Sequence, residues 1–139
     1  MAEPTPVRML QGHKVNPAND RLEVAVLDKP GPGGANHLYQ INGYDPARNR
    51  SMHGPGVEIP RSTVVLFQNG PIGETGVNGI TQEVLLAILI DRLECFQNGP
   101  YACIENASAL HCLQAAQRAL KARTDRRVAA GTEGTHGKD

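Results

Sequence analysis

TQEVLLAILIDRLECFQNGPYACIENASALHCLQAAQRALKARTDRRVAA, residues 81–130, decides the fold, because it reads as two helices folded back on each other. Thr81 is a suitable N-cap. Gln82 and Glu83 place polar and negative groups in the first turn, where the helix dipole favours them. Val84, Leu85, Leu86, Ala87, Ile88, Leu89 and Ile90 then cover nearly every face. A helix apolar on so many sides needs more cover than one small sheet supplies, so assembly of copies through the hairpin is expected. Gly99 is expected to take the left-handed position that closes the first helix, and Pro100 to open the second, where its missing N–H does no harm. The second helix is expected from about Tyr101 to about Ala129, roughly 40 Å long. Cys103, Leu110, Leu113 and Leu120 share a stripe on it with Asn106, Gln117 and Thr124, so its core face is only partly apolar.

Ahead of the hairpin, residues 69–79 (NGPIGETGVNG) hold four glycines in eleven positions and read as an irregular crossover. Residues 57–68 form a β segment whose strong part is 62–67, with Pro60 marking an edge position or a bulge. Residues 37–42 alternate, as do 21–26, with Asp28 ending the earlier strand; the turn-rich 29–36 joins the two as a hairpin. Residues 1–20 mix prolines with polar residues and read as an extended or disordered arm, although Val7, Met9 and Leu10 suit docking on a partner. Residues 131–139 are expected to be a flexible tail. The expected fold is therefore α+β: an antiparallel sheet of three to four strands followed by a long C-terminal two-helix hairpin. One domain is expected over 21–130, with the sheet in 21–68 and the hairpin in 81–130.

With 14 basic and 14 acidic residues the formal net charge is zero, so no global field recruits a DNA or RNA polymer or an anionic membrane. Three cysteines and no recognisable signal peptide point to a reducing cytosol. The run Val84–Ile90 is far shorter than the roughly 20 residues that span a bilayer. Aromatic residues make up 4% of the chain and tryptophan is absent, which disfavours a base-stacking surface for single strands.

The chemistry concentrates late in the second helix, where Arg118, Lys121, Arg123, Arg126 and Arg127 are offset only by Asp125. Two readings stand: cations complementing the negative end of the helix dipole, or a phosphate clamp in which Arg123 and Arg127, one turn apart, reach one ligand. Asn106 lies seventeen residues earlier, about 25 Å along a straight helix. If it shares a ligand with the arginines, two chains must build the pocket, and antiparallel pairing of two such helices would do so. Gly31-Pro32-Gly33-Gly34 lacks the spacing and lysine of a P-loop and reads as a plain hairpin loop, with a lid over a ligand as its functional alternative. Cys95, Cys103, His111 and Cys112 lack metal-ligand spacing, so no metal and no cofactor are expected. His37 has no nucleophile motif beside it, and no catalytic residue is assigned.

Several of these segments together resemble a known family. Residues 28–39 (DKPGPGGANHLY), the glycine-rich crossover, Asp91-Arg92-Leu93 with Phe96, Glu105-Asn106-Ala107, and Arg123-Thr124 running into a Gly-Thr tail resemble the phage-encoded Thoeris anti-defence sponges, whose helical hairpin is shared with anti-CBASS sponges. The resemblance covers about residues 22–135. It implies a non-enzymatic protein of the infected host's cytoplasm that sequesters a cyclic ADP-ribose isomer intact, so that the Thoeris effector is never activated. It also implies a homodimer with the pocket between subunits, and in some relatives a hexamer that binds cyclic oligonucleotides at separate sites. Carried over residue by residue, it puts Phe96 against adenine, Asn106 on base or ribose, and Arg123 and Arg127 on the pyrophosphate. Asn36, Tyr39 and Arg61 are the sheet-side candidates. Two readings from other classes compete: a hydrolase of the same nucleotide with His37 or Glu105 as base, and a phage interaction protein with no ligand.

Overall fold

The structure, a computed structural model, describes residues 5–137. Backbone contacts gather the chain into two compact units, Met1–Asn69 and Gly70–Asp139. The sequence reading counts one domain over 21–130.

The first unit is a four-stranded antiparallel meander, β1 (Arg8–Leu10), β2 (Glu23–Val26), β3 (Leu38–Asn42) and β4 (Thr63–Leu66), in that spatial order. Arg8 lies opposite Val26, Val26 opposite Tyr39, and Tyr39 opposite Val65. Side chains alternate between faces along a strand, so these four share one face. Val26 is fully buried on it, and Tyr39 meets Phe67 edge to face at 5.7 Å. The α+β class is as expected, and β4 coincides with the strong part of the third β segment.

The lead-in read as an extended or disordered arm instead supplies β1 and a short helix α1 (Pro17–Arg21). A three-residue strand is too short to show alternation by itself. It takes its order from β2, where pairing begins with the Val7 N–H donating to the Val26 carbonyl at 2.7 Å. The Asn16 side chain accepts from Asn19 N–H at 2.8 Å and caps α1, with Pro17 opening it. Gly43, at φ +101, follows β3 so close to α1 that any Cβ would collide with the Arg21 carbonyl.

Asp28 organises the loop between β2 and β3. Its carboxylate accepts N–H groups from His37, at 3.0 Å and 3.1 Å, and from Leu38 at 3.1 Å. The Asn36 amide donates to the Asp28 carbonyl at 2.7 Å and accepts from Arg8 at 2.6 Å, which ties β1 to the same loop. Gly31 lies against the His37 imidazole, where a Cβ would stand 2.8 Å from Cε1. Burial acts to raise the Asp28 pKa, but the N–H groups of Leu38 and His37 and the nearby His37 charge outweigh it, and the pKa is lowered.

The second unit holds α2 (Ile72–Thr75), α3 (Gln82–Gln97) and α4 (Ile104–Ala129), with α3 and α4 packed together. Thr81 caps α3 as expected, accepting from Val84 N–H at 3.3 Å. Three local expectations change. The crossover read as irregular contains α2, one turn that ends where Gly76 adopts φ +70. Asn98, not a left-handed Gly99, closes α3, its N–H donating to the Glu94 carbonyl while the Gly99 N–H donates to that of Phe96. Pro100 lies in the connecting bend and α4 begins at Ile104, because Cys103 takes the N-cap.

Two substitutions test this unit-level account. Gly43→Ala forces both a strained φ and a backbone collision, and is expected to destabilise the protein by at least about 2 kcal/mol in urea unfolding. Asp28→Asn is expected to melt at a lower temperature than the parent at neutral pH. A lowered folded-state pKa stabilises above the unfolded value, about 3.9, and that contribution disappears as pH falls through the folded value. The two melting temperatures should therefore converge in acid; a gap that persists or widens there would refute the assignment.

Candidate functional site

The bend between α3 and α4 sets the candidate site. Gln97 Oε1 accepts the Cys103 N–H at 3.0 Å, and Cys103 Sγ accepts the Asn106 N–H at 3.4 Å. Cysteine is an uncommon cap, but its sulfur satisfies one of the amides that the first turn leaves without intrahelical partners. Asn106 follows in that turn, half-buried. Its side-chain amide has no hydrogen-bond partner among the described residues.

Phe96, near the end of α3, is also half-buried. The Arg92 guanidinium, one turn earlier, sits 5.0 Å from its ring centroid, and Tyr101 meets it edge-on at 6.4 Å. Ile88, Asp91, Arg92, Cys95 and Phe96 line a depression of about 410 Å³. One face of Phe96 is therefore covered by a cation. Arg92 is quoted in the sequence reading beside Phe96 but given no role there, although its i, i+4 spacing to an aromatic was the signal.

The arginine cluster divides. Arg123 and Arg126 are exposed and, with Ala119 and Ala122, line a depression of about 320 Å³. Arg127 is 7% exposed and turns into the chain's own end. Its Nη1 donates to the Gly137 carbonyl at 2.8 Å, and its Nη2 donates to the Thr132 and Thr135 carbonyls at 2.7 Å and 3.3 Å. Its Nε lies 3.3 Å from the Glu133 carboxylate. The described part of the tail, expected to be flexible, is thus a folded strap. The Thr132 and Glu133 N–H groups both donate back to the Arg127 carbonyl, at 2.9 Å and 3.2 Å.

The sheet-side candidates lie in the first unit. Asn36 is buried and its amide is engaged by Arg8 and the Asp28 carbonyl. Tyr39 is half-buried against Phe67, and Arg61 is exposed just before β4. His37 is buried, with Nδ1 at 3.6 Å from Asp28 Oδ2 and no hydrogen bond to that nitrogen. Glu105 is exposed in the first turn of α4. The cysteines are free and exposed, and no group of three or more His, Cys, Asp or Glu residues suited to a metal occurs among the described residues. No helix among them is long and apolar enough to cross a membrane.

Comparison with known proteins bears on the second unit most directly. Residues 60–125 match the family model described as Acb2/Tad1, hairpin domain. That match takes in β4, α2, α3 and most of α4, including Phe96, Asn106 and Arg123, and ends before Arg127. Thoeris anti-defense 1 of Bacillus phage SBSphiJ7 is 47% identical over 74 residues, which is 53% of this chain and 52% of that protein. The chain thus spans about half the length of the curated relative it matches. Over β4, the crossover, α3 and most of α4, residues 60–125 are thus similar to the Acb2/Tad1 hairpin domain.

Proposed function

We propose that this protein is a phage anti-defence sponge that binds a cyclic ADP-ribose isomer in the host cytoplasm and withholds it, uncleaved, from a Thoeris effector. The observation that carries the reading is the 47% identity to a protein named Thoeris anti-defense 1. The nucleotide itself comes from the resemblance described above, and the chemistry of the second unit agrees with it. Phe96 offers a ring for adenine, Asn106 an amide with unmet hydrogen-bonding capacity, and Arg123 a cation for the pyrophosphate. Arg127 joins Arg123 in this reading when the strap yields it. Asn36, Tyr39 and Arg61 are the proposed contacts from the sheet unit, with Asn36 reaching a ligand only if its bonds to Arg8 and Asp28 rearrange.

Pairing of copies completes the pocket. Asn106 and Arg123 stand about 25 Å apart along α4, farther than one nucleotide reaches. Val84, Ile88 and Leu89 of α3 remain 45%, 59% and 46% exposed in the single chain. An antiparallel dimer through the hairpin covers such a face and brings the Asn106 end of one copy to the arginine end of the other. Assembly to a hexamer, with cyclic oligonucleotides at further sites, is the extended form of the same reading.

The purified protein, incubated with each cyclic ADP-ribose isomer and then heated, should release the nucleotide intact and in at most stoichiometric amount. Cleaved product under turnover conditions would instead establish the hydrolase reading, with His37 or Glu105 as base. Arg123→Ala should weaken capture by at least about tenfold, as expected for loss of a charge-assisted contact. Equal capture by parent and variant would remove Arg123 from the site.

A further inference from the structure

The guanidinium of Arg127 is the most enclosed cation described in the second unit, and every one of its nitrogens donates into residues 132–137. A phosphate binds arginine bidentately along one edge of the guanidinium plane, through Nε and Nη2 or through Nη1 and Nη2. Both edges are occupied here. Glu133 and the Thr132 and Thr135 carbonyls take the first; the Gly137 carbonyl, with the same two, takes the second. The strap also closes on itself. Thr135 Oγ1 donates to the Thr132 carbonyl at 2.6 Å, Gly137 N–H donates to Thr135 Oγ1 at 3.0 Å, and a Cβ on Gly137 would stand 2.9 Å from Thr132 Cγ2. This is a built acceptor cradle shaped around one guanidinium.

We infer that the Glu133 carboxylate and the strap carbonyls occupy the place of a ligand phosphate at Arg127, so that strap and anionic ligand compete for this side chain. Glu133 is then an affinity-determining residue that never touches the ligand. The inference rests on the proposed reading of Arg127 as a pyrophosphate contact. The physical balance favours exchange rather than permanent closure. Among the described residues, three of the acceptors are neutral carbonyls, and the Glu133 carboxylate is 40% exposed, so its attraction is screened by water. A pyrophosphate brings two charged groups to the same edge. While the strap holds Arg127, apparent affinity is reduced by the fraction of molecules in which the strap is closed.

Two measurements on the full-length protein test this. Glu133→Gln and Glu133→Ala should each bind inorganic pyrophosphate, and whichever cyclic ADP-ribose isomer the parent binds, about three- to tenfold more tightly, because the closed fraction falls. Hydrogen exchange at the Thr132 and Glu133 amides, bonded to the Arg127 carbonyl, and at the Thr135 and Gly137 amides, bonded within the strap, should accelerate when the parent is saturated with pyrophosphate. Unchanged or weaker binding in both variants, or amides that slow or do not respond, would overturn competition and leave Arg127 as an anchor for the tail. If the parent binds no cyclic ADP-ribose isomer at all, the sponge reading fails, while the pyrophosphate experiments still decide the strap.

Discussion

The hydrogen bond from the Cys103 N–H to Gln97 Oε1, 3.0 Å long, closes the bend between the two long helices, and the phase of α4 follows from it. An α-helix turns about 100° per residue, so starting α4 one residue earlier or later would swing every side chain on it by that angle. Asn106, Arg123 and Arg127 hold their directions because Cys103 is the cap and Ile104 the first helical residue. Pro100 contributes by forbidding continuation of α3 through the bend, since a proline in a helix interior removes a backbone donor and crowds the preceding turn. The bend is therefore part of the candidate site although none of its residues carries a ligand-binding group.

At the other end of α4 the backbone and the charge are satisfied by one device. The last carbonyls of a helix lack intrahelical partners and carry the negative end of its dipole. Here the Ala130 N–H donates to the Arg126 carbonyl, and the Thr132 and Glu133 N–H groups converge on that of Arg127. The same strap then returns its own carbonyls to the Arg127 side chain. Backbone donors flow toward the helix and side-chain donors flow back, so neither the buried guanidinium nor the last turn is left unmet. Gly131 and Gly134, at φ +72 and +75, allow the reversals this requires. Arg123 and Arg126 are exposed where Arg127 is buried.

Much of this was legible in the residues. Thr81 with its acidic first turn announced α3, the alternation in 21–26 and 37–42 and the β-rich stretch 62–67 announced strands, and Asp28 marked the end of β2. What escaped had physical reasons. Three-residue β1 has no period to read, since its order is borrowed from β2. Cys103 hid as a cap because Ser, Thr, Asp and Asn dominate that position. The tail sequence GTEGTHG has no hydrophobic period and reads as flexible, yet its order comes from a single buried guanidinium supplied by a residue five to ten positions away. Asn36 enters as a sheet-side candidate with the resemblance; that its amide also ties β1 to its loop has no signal in the sequence, because the partner strand itself has none. In the site, Phe96 was visible as a ring but not its Arg92 cover, because periodicity predicts proximity and not which face of a ring is taken.

The apolar excess of α3 is the feature whose consequence reaches furthest. Within one chain Ile90 is buried, while Val84, Ile88 and Leu89 keep roughly half their surface in water. Each full burial of such a side chain is worth about 1.5–3 kcal/mol, so half-burial of three leaves several kcal/mol unrealised. Propensity alone does not require this composition, because Ala, Glu or Lys would form the helix at least as well at exposed positions. A covering surface is what these residues suit, and a second copy of the hairpin supplies one of matching character. Under the proposed pairing, the energy that joins two copies and the geometry that joins Asn106 to a distant arginine arise from the same contact. Capture of the ligand would then depend on protein concentration as well as on the residues that touch it, since a half-site in a monomer holds only part of the nucleotide.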